Sequence, residues 1–195
     1  MSTLTHPVSA VAPPSCLARW SAVSGVAAGL CIALPAAVEA FTGETAVTSL
    51  VLAVSCALAI PLLSALFARH PSGGGLTAAA YLVNQIGLGL FGGAVFALNA
   101  VIFFLAPNVA EDLLRGPTKA ALLLSAVVFV VGCVLFGVSM MRSRAFPRLA
   151  VWGYTLLLPL LALLAPLPDS PLISGLHVLV GATLVRLALV VGPGR

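Results

Sequence analysis

Five polar side chains lie inside long apolar segments, and they are the groups in this sequence that could do chemistry. Three are amides, Asn84, Gln85 and Asn99, and the other two are the acid Glu39 and the base His177. Polar and ionisable groups are unfavourable in hydrocarbon, and where they occur they often line a substrate path or relay protons. These residues are the candidate intramembrane polar or substrate-lining groups.

Two of the amides share one helix face. At about 100° per residue, Gln85 and Asn99 lie about 40° apart and about four turns from each other. This stripe is predicted to face other helices, with the opposite face, including Leu88, turned outward or towards bulkier packing. Two interpretations remain open: hydrogen bonds between helices, each worth about 0.6 kcal/mol on average, or the lining of a substrate path.

Small residues at four-residue spacing mark two further faces. They are Gly25 and Gly29 in the first apolar segment, and Gly89, Gly93 and Ala97 in the third. Glycine and alanine at this spacing let helix backbones approach closely in membranes. Both faces are predicted to pack against a neighbouring helix.

Glu39 and His177 are both placed near the end of an apolar segment, on the same side of the predicted membrane. A carboxylate and an imidazole facing one another across an outward cavity can relay protons. The alternative is that Glu39 simply reaches water. The sequence contains no recognisable nucleophile and base set, so no catalytic residue is assigned.

The cysteines and histidines do not form a metal or cofactor motif. Cys16, Cys31, Cys56 and Cys133 contain no C-x-x-C pair, and the three histidines are scattered. Zinc sites need closely spaced ligands of these types. We expect no metal and no cofactor. The cysteines are predicted to pack as small apolar residues, with a redox pair of Cys31 and Cys56 as the alternative.

The composition places the chain among integral membrane proteins. Its 195 residues are 61% hydrophobic and only 7% charged, with a mean hydropathy of +1.19. A soluble domain is about 25% charged. A chain so poor in charge cannot cover a surface that faces water, so its partner is the lipid bilayer. The net charge of +4 therefore indicates membrane orientation and no nucleic acid.

The apolar segments predict an all-α, polytopic membrane protein with a six-transmembrane-helix bundle. Each is close to the roughly 20 residues that a bilayer requires. Residues 1–15 are predicted to be a disordered cytoplasmic tail, and residues 16–195 a single membrane domain. The first segment also resembles a signal peptide, so retention and cleavage both stay open. The predicted spans are 20–40, 46–67, 78–105, 119–141, 149–166 and 171–191.

The charges sort by alternate connections between these spans. All five acids fall on one side and seven of the nine cations on the other. The positive-inside rule places the cation side in the cytoplasm, so both termini are predicted to be cytoplasmic in the cell membrane. The expected topology anchors are Arg69, Arg142, Arg144 and Arg148. The acids are Glu39, Glu44, Glu111, Asp112 and Asp169, and Arg19, Arg186 and Arg195 complete the cation side.

Prolines and aromatic residues add two local expectations. Pro35, Pro61 and Pro159 lie within predicted spans and are expected to kink them, because proline lacks the N–H of the helical hydrogen bond. Trp152 and Tyr154 closely follow the arginine-rich connection, the loop that carries Arg142, Arg144 and Arg148. They are expected to anchor the fifth span at interfacial depth.

The arginine-rich connection also carries a resemblance. Residues 135–166, LFGVSMMRSRAFPRLAVWGYTLLLPLLALLAP, contain Gly137, Arg142, Pro147 and Arg148 in the pattern G-x-x-x-x-R-x-x-x-x-P-R, followed by an apolar helix. With FLAPNVAEDLL at 104–114, this resembles small multi-pass membrane proteins of GC-rich bacteria, known only as domains of unknown function. The likeness covers about residues 75–192. It implies no activity, substrate or catalytic residue.

Three function classes follow from these observations. The first is a non-catalytic structural, accessory or partner-binding membrane subunit, with a membrane-protein partner or a second copy of the chain. The second is a small-molecule transporter, and the third is a membrane-embedded enzyme acting on a lipid-like substrate. A fully packed bundle would favour the first. A water-filled cavity at mid-depth, lined by Gln85 and Asn99, would favour the second, and a closed outer pocket holding Glu39 and His177 together the third.

Overall fold

The computed structural model describes residues 15–71, 74–165 and 170–192, and this part of the chain is helical without strands. Residues 1–14 of the predicted tail, Asp169 and Arg195 lie outside it. The helices are α1 (Ser15–Thr42), α2 (Ala46–Ala53), α3 (Ser55–Ala68), α4 (Gly75–Ala100), α5 (Pro107–Leu113), α6 (Pro117–Ser143), α7 (Arg148–Leu164) and α8 (Pro171–Val191), with a 3₁₀ turn at Ile102–Phe104.

The all-α class is confirmed, with five segments long and apolar enough to cross a membrane. They are Cys16–Thr42, Ala46–Ala68, Gly75–Phe104, Pro117–Ser143 and Pro171–Val191. The predicted span at 149–166 corresponds to α7, an apolar helix of 17 residues that is shorter than these five. The helices α2 and α3 together make one segment, and α5 is a short helix between the third and fourth segments.

The long helices form a closed ring in chain order. The α2–α3 segment packs against α1 and α4, α4 packs against α6, α6 against α7, and α7 against α8, while α1 closes the ring against α8. Neighbours in the ring run antiparallel. In the α2–α3 segment, Ser49 near the start contacts Asn99 near the end of α4, and Ser64 near the end contacts Tyr81 near the start of α4.

The contact between α1 and α8 depends on glycines in both helices. A Cβ atom on Gly29 would lie 2.5 Å from the carbonyl oxygen of Gly181, and one on Gly25 would lie 2.9 Å from the Cβ of Ala188. Atoms cannot approach so closely, so these backbones meet only because the side chains are absent. The packing face predicted in the first span is confirmed.

The packing face predicted in the third span is wrong. No atom lies within 4 Å of a Cβ placed on Gly89 or Gly93. The close approach uses a different face of α4: a Cβ on Gly87 would lie 2.6 Å from the Cα of Phe129, and one on Gly132 of α6 would lie 2.8 Å from the backbone nitrogen of Asn84. Spacing alone does not reveal which small residue meets a complementary surface on the partner helix.

Leu88, whose face was predicted to turn outward or towards bulkier packing, is packed and does not turn outward. It lies next to Gly87 and is only 6% exposed. The inward face of α4 is therefore centred near residues 84–88.

The prolines that are expected to kink the spans do not break the helices. Pro35, Pro61 and Pro159 all lie within continuous helices. The break in the second span comes at Val54, between α2 and α3. The start of α2 is set locally, by a capping box in which Thr45 and Thr48 bond reciprocally through side chains and backbone.

Side-chain hydrogen bonds join the helices at the end of the ring where Arg69, Arg142, Arg144 and Arg148 lie. The Arg69 guanidinium donates to the carbonyl oxygen of Val190 and, at 3.5 Å, to that of Gly192. The last carbonyls of a helix have no intrahelical partner, so this arginine caps α8. Nearby, Thr77 and Ser139 join α4 to α6 through their hydroxyls at 3.0 Å.

We predict that Gly132→Ala destabilises the protein by about 1–3 kcal/mol, because the added methyl group collides with backbone atoms of α4 that cannot rotate away. The free energy of unfolding is measured by circular dichroism in mixed micelles with increasing dodecyl sulfate. The matched control is Gly89→Ala, which adds the same methyl group to open space and should not destabilise. Equal losses in the two variants would contradict the packing described here.

Candidate functional site

A cavity of about 280 Å³ lies inside the ring. It extends from the middle of the bundle to the end of the ring where Glu39 and Glu44 lie, the acidic end. Most of its wall is aliphatic and aromatic, which suits an apolar molecule. Its polar lining groups are those of the mouth, the hydroxyl of Tyr154 at the floor, and Ser55 on α3. The apolar wall includes Ile32, Leu52, Leu62, Leu66, Leu88, Phe91, Val95, Leu98, Phe129, Leu158, Leu161, Val180 and Leu184.

The mouth of the cavity is formed by Glu39, Glu44, Asn99 and His177. Glu44 is exposed, whereas the other three are half-buried, so the cavity reaches the protein surface beside the connection between α1 and α2. Three of the candidate residues from the sequence therefore meet at one place. Helix ends bring them together, since Glu39 lies in the last turns of α1, Asn99 at the end of α4, and His177 near the start of α8.

Ser49 organises one side of the mouth, and the sequence reasoning missed it. Its buried hydroxyl lies 2.6 Å from Glu44 Oε1 and 3.3 Å from Asn99 Oδ1. Its one hydrogen is donated to the carboxylate, the shorter and charge-assisted bond. The Asn99 amide nitrogen donates to the carbonyl oxygen of Val95 at 2.9 Å. The signal available in the sequence was a small hydroxyl within an otherwise apolar helix.

His177 is held in one tautomer. Its Nδ1 lies 2.9 Å from the carbonyl oxygen of Ile173. A carbonyl oxygen only accepts hydrogen bonds, so Nδ1 carries the hydrogen, and Nε2 of the neutral ring is an acceptor. The imidazole therefore offers a lone pair at the mouth, or a second donor when it is protonated.

The charge of the lining is of one sign. Two carboxylates, Glu39 and Glu44, line the cavity, and no lysine or arginine of the described chain does. Arg115 and Lys119 lie at the same end of the bundle as the mouth, but neither lines the cavity. The mouth is thus complementary to a positively charged group.

The floor of the cavity is polar because of Tyr154. This residue is 5% exposed, lines the cavity, and accepts a hydrogen bond at Oη from Asn84 Nδ2. Asn84 is fully buried, and its Oδ1 lies 3.5 Å from the thiol of Cys133. The floor therefore joins α4, α6 and α7 through one buried polar cluster.

The expectation that Tyr154 anchors the helix at interfacial depth is wrong. Ala150, Val151, Tyr154 and Leu158 are all buried, so the inward face of α7 includes the tyrosine. Trp152 points the other way and is 52% exposed. The four-residue spacing was visible in the sequence, but α7 is apolar on all sides, so spacing alone did not distinguish the inner face.

The predicted amide stripe divides into two environments. Gln85 is half-buried and does not line the cavity, and its Oε1 is buried without a hydrogen-bond partner among the described residues. Asn99 reaches the mouth. Gly92, on the same face between them, approaches Cys56 of α3 at 2.9 Å from its notional Cβ. This face of α4 therefore turns towards the α2–α3 segment.

The remaining candidates lie elsewhere. Arg142 ends α6, Arg144 adopts a left-handed conformation in the following loop, and Arg148 begins α7, and all three are exposed. Within the described ranges no group of three His, Cys, Asp or Glu side chains is placed to hold a metal ion. The four cysteines are free thiols, with only Cys133 fully buried.

Comparison with protein-family models, with curated proteins and with solved structures finds no match. The resemblance to small membrane proteins of GC-rich bacteria therefore stays a prediction. What the site does has to be inferred from its geometry.

We predict an energetic coupling of about 0.6–1.7 kcal/mol between Asn84 and Tyr154, the range found for hydrogen bonds between membrane helices. It is measured as a double-mutant cycle of Asn84→Ala and Tyr154→Phe, from unfolding in mixed micelles. The control cycle pairs Asn84→Ala with Tyr81→Phe, because the Tyr81 hydroxyl bonds Ser64 instead. Strict additivity in the first cycle would show that the bond does not stabilise the fold.

Proposed function

We propose that this protein is a small-molecule transporter that binds amphipathic cations in the cavity between its helices. The cationic group would lie at the mouth beside Glu39 and Glu44, and the apolar part would extend along the leucine-rich wall towards Tyr154. The observation that carries the proposal is the lining itself: acidic at the mouth, apolar along its length, and without a lysine or arginine among the described residues.

The size of the cavity supports a small ligand. At about 280 Å³ it is close to the lower end of the usual range for small-molecule sites, about 300–1,000 Å³. Such a volume suits a molecule of modest length with one head group. The Tyr154 hydroxyl, which accepts from Asn84, places a polar group at the far end of the cavity.

The cavity is closed at the end opposite its mouth, and this favours transport over binding alone. The cavity reaches the surface at its acidic mouth, while the opposite end is filled by side chains that are fully buried, including Phe136, Met140 and Leu187. Arg69 also links α3 to the carbonyl of Val190 there. A site accessible from one side only is what one state of an alternating-access cycle requires.

The cavity also weighs against the accessory-subunit hypothesis. A protein that serves only to pack against a partner has no need for an internal cavity lined by seven helices. Unfilled space inside a bundle is destabilising, since the lining atoms lose contacts. The accessory role is therefore the less favoured class.

We further propose that all six apolar segments cross the membrane and that both termini are cytoplasmic. Helix α7 has 17 residues, about 25 Å at 1.5 Å per residue, which is at the short end of the range for a span. Its place in the ring between α6 and α8 supports this, as does its contribution of Tyr154 and Leu158 to the cavity. The contacts of α1 with α8 likewise support the proposal that α1 is retained in the protein and is not cleaved as a signal peptide.

Binding is tested with purified protein and radiolabelled hexyltrimethylammonium, with hexanoate as the anion of equal chain length. We expect saturable binding of the cation and none of the anion. Glu39→Gln should weaken cation binding by about tenfold, the effect of about 1.4 kcal/mol. Glu111→Gln is the matched control, because that acid lies on α5 and pairs with Arg115 at 2.5 Å.

Two further variants locate the site. Ala59→Phe places a ring in the cavity and should abolish binding, whereas Ala57→Phe adds the same ring to an exposed position of the same helix. Loss of binding in both variants, or tighter binding of hexanoate, would overturn the proposal. Uptake of the labelled cation by proteoliposomes then separates transport from binding alone.

A membrane-embedded enzyme is the second candidate, favoured by one observation. With its hydrogen on Nδ1, the uncharged form of the His177 ring presents Nε2 as an acceptor at a mouth that also contains Glu39. An imidazole so placed can act as a general base. Chemical alteration of the bound probe, detected by mass spectrometry and lost in His177→Gln, would favour this class over transport.

Topology is predicted from charge. Cysteine at position 144 in a cysteine-free background should resist labelling from outside, and cysteine at position 44 should be labelled. Neutralising Arg142, Arg144 and Arg148 together should give mixed topology, while lysine at all three should be mild, because the positive-inside rule counts charge. External labelling of cysteine at position 144, with Arg142 and Arg148 unchanged, would contradict this orientation.

A further inference from the structure

A second cleft lies at the opposite end of the ring, at the connection between α6 and α7. It has a volume of about 370 Å³ and does not communicate through any shared lining residue with the cavity described above. Its polar lining groups are Arg144 and Arg148. Its apolar wall is formed by Met140, Met141, Phe146, Val151 and Trp152.

The connection that carries the two arginines is fixed in place by its neighbours. The Ser143 hydroxyl donates to the carbonyl oxygen of Met140 at 2.8 Å and accepts from the backbone nitrogen of Ala145 at 3.4 Å. Phe146 is only 6% exposed, and its ring centre lies 6.3 Å from that of His70. A buried aromatic side chain thus anchors the loop to the bundle.

Arg144 occupies a conformation that is uncommon for a residue with a side chain. Its φ is 53°, in the left-handed region, and it is the one described residue other than glycine with positive φ. This turn ends α6 and lets the chain reverse within four residues before Arg148 begins α7. The two guanidinium groups are therefore brought to one cleft by the geometry of the turn.

Neither arginine has an acidic partner in the described part of the chain. The ion pairs there are those of Arg115 with Glu111 and Asp112, on the other side of the bundle. Both cleft arginines are exposed, and neither side chain forms a hydrogen bond with another described residue. Two unpaired guanidinium groups beside an apolar wall are complementary to an anion with a hydrophobic part.

We propose that this cleft binds the head group of an anionic phospholipid. Arg144 and Arg148 hold the phosphate, since guanidinium groups form paired, charge-assisted hydrogen bonds to phosphate oxygens. The acyl chain leaves the cleft along Met141 and the half-exposed Trp152, whose indole suits the boundary between head groups and hydrocarbon. Basic pockets between helices at the cytoplasmic surface are suited to such lipids.

The neighbouring Arg142 makes it possible to distinguish a specific binding site from a general attraction of the loop to anionic lipid. It is exposed like the other two but does not line the cleft. A diffuse electrostatic attraction depends on the total charge and would treat the three arginines alike. A built site depends on Arg144 and Arg148 only. The proposal does not depend on the ligand of the central cavity.

The test uses Trp152 as the reporter. The chain has two tryptophans, so Trp20→Phe leaves Trp152 as the one fluorophore of this type. Protein in detergent micelles is titrated with phosphatidylglycerol brominated on its acyl chains, and in parallel with brominated phosphatidylcholine. We expect quenching at lower mole fractions of the anionic lipid. Arg144→Gln and Arg148→Gln should each raise the half-quenching fraction about tenfold, as for the loss of one charge-assisted bond.

Arg142→Gln is the matched control, since it removes the same charge from the same loop and should leave quenching unchanged. Arg144→Lys should retain an intermediate effect, because it keeps the charge but loses the paired geometry. Circular dichroism confirms that each variant is folded before titration. Equal quenching by the two lipids, or an equal loss in Arg142→Gln, would overturn the proposal. Release of quenching by millimolar inorganic phosphate without lipid selectivity would also overturn it, by identifying a soluble anion as the ligand.

Discussion

The structure depends on the close contact that closes the ring, where α1 meets α8 without side chains between them. Gly29 and Gly181 place their backbones against one another, so that a methyl group on either would collide with the other's carbonyl. In hydrocarbon, apolar surfaces gain little by leaving lipid, and association relies on dispersion contacts over closely fitted surfaces. Without this contact the helices would form an open row, and the cavity would lose one wall.

Polarity is distributed along the axis of the ring in a way that follows from the cost of unpaired polar groups in hydrocarbon. The mouth contains acids near water, where Ser49 supports Glu44. The floor contains a buried tyrosine, which Asn84 satisfies. Between them the wall is mostly aliphatic and aromatic. Gln85 departs from this pattern, because its carbonyl oxygen is buried without a partner in the described chain.

The two ends of the ring offer opposite chemistry. The acidic end has a cavity with carboxylates at its mouth, and the other end has a cleft flanked by guanidinium groups of Arg144 and Arg148. The separation of charge between the two ends therefore makes one end complementary to cations and the other to anions. Arg69 adds to the positive charge at the end of the ring with Arg144 and Arg148, and it also caps α8.

The sequence by itself determined the helical membrane class, the positions of the apolar segments and the sorting of charge, because these follow from local composition and length. It also brought forward Glu39 and His177 as polar groups near the ends of spans, and Asn99 as one of a stripe of amides. Only the tertiary structure decided which faces meet. It chose Gly87 over Gly89, turned Tyr154 inward, and separated Gln85 from Asn99. In water an amphipathic pattern marks the buried face of a helix, but here lipid and protein interior are equally apolar, so the pattern is absent and complementary shape between helices makes the choice.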